Sequence, residues 1–150
     1  MTVASDPLAL DRQVCFALVV ASRTVNAIYR PLLEPMGLTH PQYLVMLALW
    51  ERAPRSVREL SDVLQLDPGT LSPLLKRLES AGYVRRERDQ RDERMLAVTL
   101  TGSGAALRAR AELIPPAIVA ELGMDLTELE QLHASLTRVI AAARTAQSDA

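Results

Sequence analysis

Between residues 13 and 33, apolar side chains return at helical intervals. Val14, Leu18, Ala21, Val25 and Ile28 are spaced by four, three, four and three positions, predicting one long helix that ends near Leu33. Asp6-Pro7, or Asp11 one turn later, suits its cap. The stretch "EPMGLTHPQ" interrupts the pattern: Gly37 suits a stop, and Thr39 or His40 before Pro41 opens a second, strongly apolar helix over 42–51. "RAPRS" reads as a turn. Val57, Leu60, Val63 and Leu64 then predict a short third helix ending near Gln65. The segment "LDPGTLSPLLKRLESAGY" has the clearest punctuation, with Asp67 at the N-cap position, Pro68 at the first helical position and Gly82 as the stop. Its apolar stripe is Leu71, Leu74, Leu75 and Leu78.

The period then changes from helix to strand. In "YVRRERDQRDERMLAVTL", Val84, Arg86 and Arg88 share one face, a charged tip follows, and Leu96, Val98 and Leu100 share a face again, which predicts a β-hairpin. Two short helices joined by a tight turn and followed at once by a charged hairpin form the outline of a winged helix-turn-helix, in a mainly α (α+β) chain. The alternatives are packing helices of no special role and a hairpin whose charges only protect an edge, although an edge needs no such density of Arg. Thr101 suits the cap of a helix running to the Pro115-Pro116 break, and Leu126, Leu129, Leu132, Leu136, Val139 and Ile140 predict a last long helix. Long helices at both ends would leave apolar stripes uncovered in a monomer. A symmetric homodimer covers them, and its two-fold axis suits an inverted-repeat operator. The expected organisation is a single domain over 1–150, with 5–36 and 101–146 as dimerisation helices around a winged-helix region over 41–100.

Charge distribution changes the picture more than net charge does. A net charge of −1 argues weakly against a polyanionic partner, but residues 76–94 hold seven of the seventeen basic residues against five acidic ones. Sixteen of those seventeen cations are Arg, whose planar fork suits phosphate and guanine edges. No basic segment with an apolar core opens the sequence, and no uncharged apolar run spans a bilayer, so a cytoplasmic protein with no membrane role is expected. The single cysteine, Cys15, excludes an internal disulfide and leaves intermolecular pairing or a reactive thiol. His40 and His133 lie far apart without ligand-spaced partners, and no glycine-rich phosphate loop occurs. Neither a metal nor a cofactor is therefore expected.

With its leucine stripe turned inward, the fourth helix presents Gly69, Thr70, Ser72, Pro73, Lys76 and Arg77 to solvent. Small residues come first and cations last, an order that suits close approach of the first turns to base edges. Pro73 removes the hydrogen bond to Gly69; its ring either contacts a thymine methyl or is simply tolerated near a helix start. On the hairpin, Arg86 and Arg88 are DNA-binding candidates of a wing that tracks backbone or minor groove, and Arg91 and Arg94 suit a minor groove, with Asp92 steering an Arg into position.

In order and spacing, "QVCFAL", "YRPLL", "LTHPQYLVMLALWE", "LDPGTLSPLLKRLE", "GYVRRERDQRDER" and "VTLTGSG" resemble the MarR family of winged-helix repressors. Within that family they resemble the one-cysteine branch of organic hydroperoxide sensors (OhrR-like). The resemblance covers nearly the whole chain. It implies six helices and three short strands in a dimer that represses a peroxidase gene and leaves double-stranded DNA when its cysteine is oxidised. It also implies that Tyr29 supports the thiolate. Cys15 and Tyr29 are fourteen residues apart, about 21 Å along a helix, so Tyr29 must reach the cysteine of a partner subunit.

A thiolate, not a thiol, attacks a peroxide, so a sensor must favour the ionised form; a position near a helix N-terminus and a phenolic donor both do so. The product is a sulfenic acid. With no second cysteine in the chain, resolution falls to a small external thiol or to over-oxidation. Where this branch carries a second tyrosine, the chain has His40, which either donates to the thiolate, favouring it more strongly than a phenol if protonated, or merely starts a helix. Two other functions are compatible with the chain. One is a MarR-type repressor released by a small apolar or phenolic ligand, with Cys15 incidental. The other is a thiol peroxidase, which leaves the Arg-bearing hairpin unexplained, so the expectation is not an enzyme.

Overall fold

The computed structural model describes residues 6–149. Residue 5, where the first expected dimerisation segment begins, lies outside the described residues. Helix α1 spans Val14–Leu33, α2 His40–Glu51, α3 Val57–Leu64, α4 Pro68–Ser80, α5 Gly102–Ala111, α6 Ile114–Leu122 and α7 Leu126–Ser148. The strands are β1 Arg55–Ser56, β2 Val84–Arg88 and β3 Leu96–Leu100. The chain divides into two compact units, one ending at Ile114 and the other beginning at Pro115.

In the first unit, α2 lies at the centre. Thr39 caps it: its Oγ1 accepts from the Gln42 N–H at 3.4 Å and Gln42 Oε1 accepts from the Thr39 N–H at 3.0 Å, a reciprocal box that places His40 and Pro41 in the first turn. Its Tyr43, Val45, Met46, Ala48 and Leu49 are buried, which explains why its pattern is apolar on more than one face. Helices α3 and α4 pack on it. Ser56 Oγ accepts from the Glu59 N–H at 3.0 Å to cap α3, and Asp67 Oδ1 accepts from the Thr70 N–H at 2.7 Å to cap α4. Leu71, Leu74, Leu75 and Leu78 of α4 are all buried, as the spacing predicts. Val63 of α3 instead faces solvent at 49% exposure, because a helix of eight residues buries only a narrow stripe.

The expected hairpin is present as the β2–β3 wing, antiparallel with Val84 opposite Leu100, Arg86 opposite Val98 and Arg88 opposite Leu96. The turn expected at "RAPRS" contains strand β1, which adds to β3 so that the sheet order is β1-β3-β2. Two residues are too few to show alternation in the sequence. The structure thus has the winged helix-turn-helix architecture in the order α2-β1-α3-α4-β2-β3.

Helix α5 is locked against the core by close backbone approach. A side chain on Gly104 would bring its Cβ within 2.0 Å of the Tyr83 carbonyl oxygen, and the Gly104 carbonyl accepts from Trp50 Nε1 at 2.9 Å. Tyr83 in turn donates from its hydroxyl to the Met36 carbonyl at 2.6 Å, pinning the turn that follows α1.

Two differences from expectation concern helix ends. Neither Asp6 nor Asp11 caps α1: Asp6 Oδ1 accepts from the Leu8 N–H, a short 3-10 turn covers Leu10–Arg12, and Gln13 is the cap residue without a side-chain capping bond. Helix α5 ends at Ala111, short of the expected Pro115-Pro116 break, and the two prolines instead lie in the first turn of α6, where proline forfeits no intrahelical donor. The described residues thus form seven α-helices where the resemblance implies six. In the second unit, Asp125 and Glu128 form a capping box at the start of α7, of which no residue is buried.

Candidate functional site

On α4, burial of the four leucines leaves Gly69, Thr70, Ser72, Pro73, Lys76 and Arg77 exposed together on the opposite side. Pro73 sits within an unbroken helix. A Cβ at Gly69 would meet nothing closer than Asp67 Oδ1 at 3.8 Å, so packing within the chain does not require glycine there. The face is therefore flat and small at its N-terminal end and cationic further on.

The wing carries its cations in three different ways. Arg86 is only 27% exposed and lies against Glu79 of α4, with Nη2 3.3 Å from Oε1, which ties the wing base to the helix and holds the Glu79 carboxyl below its usual range. Arg88 is exposed and, among the described residues, makes no ion pair. Arg91 and Arg94 occupy the tip beside carboxylates. Asp92 Oδ1 accepts from the Arg94 N–H at 3.1 Å and lies 3.7 Å from its Nε, while Asp89 Oδ1 accepts from the Arg91 N–H at 2.8 Å. Sequence reading singled out Asp92 and missed Asp89, whose burial beneath the tip depends on the hairpin's closure.

Cys15 is exposed, at the second position of α1. The Gln13 side chain does not cap the helix; its Nε2 donates to the Pro7 carbonyl at 2.8 Å. Among the described residues, no side chain accepts from the first-turn N–H groups of α1, and such groups favour a neighbouring negative charge. The expected residues do not all meet within one chain. Tyr29 lies on the same unbroken helix as Cys15, fourteen residues and about 21 Å further along. It meets His40 instead, ring centroids 4.7 Å apart in an edge contact, and Tyr43 joins them at 5.8 Å from Tyr29 and 6.2 Å from His40. Tyr43 was missed, although it follows His40 by three residues and so shares its helix face.

Burial raises Tyr29 above the ordinary phenol range and lowers His40 below the ordinary imidazole value. Burial and the nearby Tyr29 both raise Tyr43. The cluster is thus uncharged at neutral pH, with phenols that donate and an imidazole that offers one N–H. Activation of a thiolate by protonated His40 is disfavoured by this environment. Beside the cluster lies a cleft of about 360 Å3 lined by Asn26, Arg30, Leu33, Leu38, Thr39 and His40.

Apolar residues surround Cys15 in the open: Val14 is 69% and Val19 52% exposed, with Phe16 and Val20 also solvent-facing. On α7, Leu126, Leu132, Val139 and Ile140 are exposed as well. Among the described residues, no helix is long and apolar enough to cross a membrane, so these faces are not spans.

Comparison with known proteins places this architecture. Residues 27–109 match the family model for the transcriptional regulator SarA/Rot. The chain is 46% identical over 127 residues to the HTH-type transcriptional regulator TtmR of Methylorubrum extorquens, covering 85% of this chain and 65% of that protein's length. It is 40% identical over 131 residues to the organic hydroperoxide resistance transcriptional regulator of Bacillus subtilis, covering 87% of this chain and 89% of the relative. The structure of reduced AbfR of Staphylococcus epidermidis bound to DNA superposes with a TM-score of 0.73 at 35% identity, over 89% of this chain and 94% of the other. With its α3-α4 reader, its three-stranded wing and these relatives, the chain belongs to the SarA/Rot and MarR type of winged-helix transcriptional regulators.

Proposed function

We propose that the protein is a homodimeric, redox-sensing repressor that holds an inverted-repeat operator while Cys15 is reduced and leaves it when an organic hydroperoxide oxidises that residue. The observation that carries the reading is the separation of Cys15 from Tyr29 and His40. A thiol at one end of an unbroken α1 and a neutral donor cluster near its other end complete each other only when a second chain supplies one of them. The bare apolar residues around Cys15 support pairing through that surface, and those on α7 support a second contribution, so that 5–36 and 101–146 dimerise and 41–100 read DNA. The DNA-bound AbfR structure supports duplex DNA as the partner, and the name of the Bacillus relative supports hydroperoxide as the signal. A regulator of this kind is cytoplasmic and not an enzyme.

In the proposed chemistry, the Cys15 thiolate attacks the terminal peroxide oxygen, the O–O bond breaks and an alcohol leaves after taking a proton from a neighbouring donor. Tyr29 and His40 of the partner serve as that donor set. The sulfenic acid then condenses with a small external thiol, releasing water and forming a mixed disulfide. That bulk within a packed interface forces the two reading heads apart. Gly69, Thr70, Ser72, Pro73, Lys76 and Arg77 enter the major groove, and Arg88, Arg91 and Arg94 follow the backbone or minor groove, with Arg86 and Asp92 as supports.

The 360 Å3 cleft beside His40 favours a second reading, in which a small ligand releases the operator and Cys15 is incidental. A gel shift separates the two. Wild type treated with cumene hydroperoxide is expected to lose the operator, Cys15→Ser to bind as the reduced wild type does and stay bound after treatment, and His40→Ala to respond more slowly. If Cys15→Ser is released like wild type, the thiol is not the sensor.

A further inference from the structure

Helix α3 directs one carboxylate toward the wing. Glu59 is fixed in the first turn of α3 by the bond from its N–H to Ser56 Oγ. Its Oε2 accepts from Arg52 Nη2 at 2.8 Å, and Arg52 is the residue that ends α2. Its Oε1 lies 3.6 Å from Arg91 Nη2 of the wing. Arg91 is held from the other side by Asp89, whose Oδ1 accepts from the Arg91 N–H at 2.8 Å and lies 3.5 Å from its Nε. Those hydrogen bonds keep the Asp89 carboxyl below its ordinary range, so it stays ionised at neutral pH.

Arg94 is placed differently. Its side chain is 95% exposed, and its carboxylate partner is Asp92, which belongs to the same tip. One wing arginine is thus tied to the helix-turn-helix, while the other travels with the wing.

We propose that Glu59 is a positioning residue for DNA recognition: it ties Arg91 of the wing to the first helix of the helix-turn-helix, and so sets sequence discrimination rather than total affinity. The proposal rests on the DNA-binding reading above. A free guanidinium follows any phosphate, whereas one held at a fixed offset from α4 reads groove position and width together with the bases α4 meets. A carboxylate next to a DNA-facing cation also weakens raw attraction to phosphate, so its effect on non-specific binding is opposite in sign to its effect on discrimination.

The test uses the full chain with two duplexes, an inverted repeat enriched by the wild type from a random pool and a scrambled sequence of the same composition. Failure of the wild type to enrich any sequence defeats the DNA-binding reading itself, before Glu59 is examined. Given enrichment, Glu59→Gln is expected to bind the scrambled duplex at least as tightly as wild type, while the ratio of affinities falls about threefold, the scale of an exposed ion pair. In an Arg91→Ala background, Glu59→Gln should leave the ratio unchanged. The proposal is overturned by an unchanged ratio, by equal loss on both duplexes, or by the same effect with Arg91 absent.

Discussion

Helices α4 and α1 carry equally regular apolar stripes, yet only one of them is satisfied within the described unit. On α4, Leu71, Leu75 and Leu78 are fully buried against α2 and its neighbours, and the polar face is left exposed. On α1, Val14, Phe16, Val19 and Val20 face solvent around Cys15, Leu18, Val25 and Ile28 are only half-buried, and Leu33 alone of the helix is fully buried. The difference teaches that the packing of α4 is complete in one chain, whereas the apolar surface around Cys15 is left uncovered. On the function proposed above, a cysteine surrounded by bare apolar side chains, with the expected donors four turns away, is half a site.

The sharpest way to break this comparison is to remove a leucine from the completed side. Leu75→Ala should cost about 2–5 kcal/mol, because a fully buried side chain leaves a cavity, and denaturant unfolding measures it. On the uncompleted side, Ile140→Asp on α7 should shift sedimentation from dimer toward monomer and weaken operator binding at nanomolar concentration. An unchanged sedimentation coefficient would show that this face is not an interface. The smallest effect is a pH dependence at His40. Its folded value lies below 6.5, so between that value and 6.5 the unfolded chain holds a proton that the folded chain lacks. Stability therefore falls as pH drops through this window and levels off below it. His40→Phe should flatten that slope in melting curves recorded across the window.

The leucine stripe of α4 was legible in the sequence because burial there follows helical spacing, and the wing was legible because alternation marks its two strands. β1 was not, since two paired residues carry no period. The cap of α1 was misplaced for a related reason: Asp6 and Asp11 both have the right chemistry, and only the path of the chain through the Leu10–Arg12 turn decides that Gln13 begins the helix. Asp89 and Glu59 escaped notice because their role is defined by a partner brought near by hairpin closure and helix packing, not by neighbours in sequence.

By itself the sequence determined the order of the helices up to α5, the exposed polar face of α4, the arginine-rich wing and the distance that keeps Tyr29 from its own Cys15, because each follows from local periodicity and fixed helical rise. Only the tertiary structure decided that Tyr29, His40 and Tyr43 form one partly buried, neutral cluster, and that one wing arginine pairs with α3 while the other pairs within the tip. Burial and charge pairing are properties of surfaces brought together from distant segments, and no local pattern encodes which surfaces will meet.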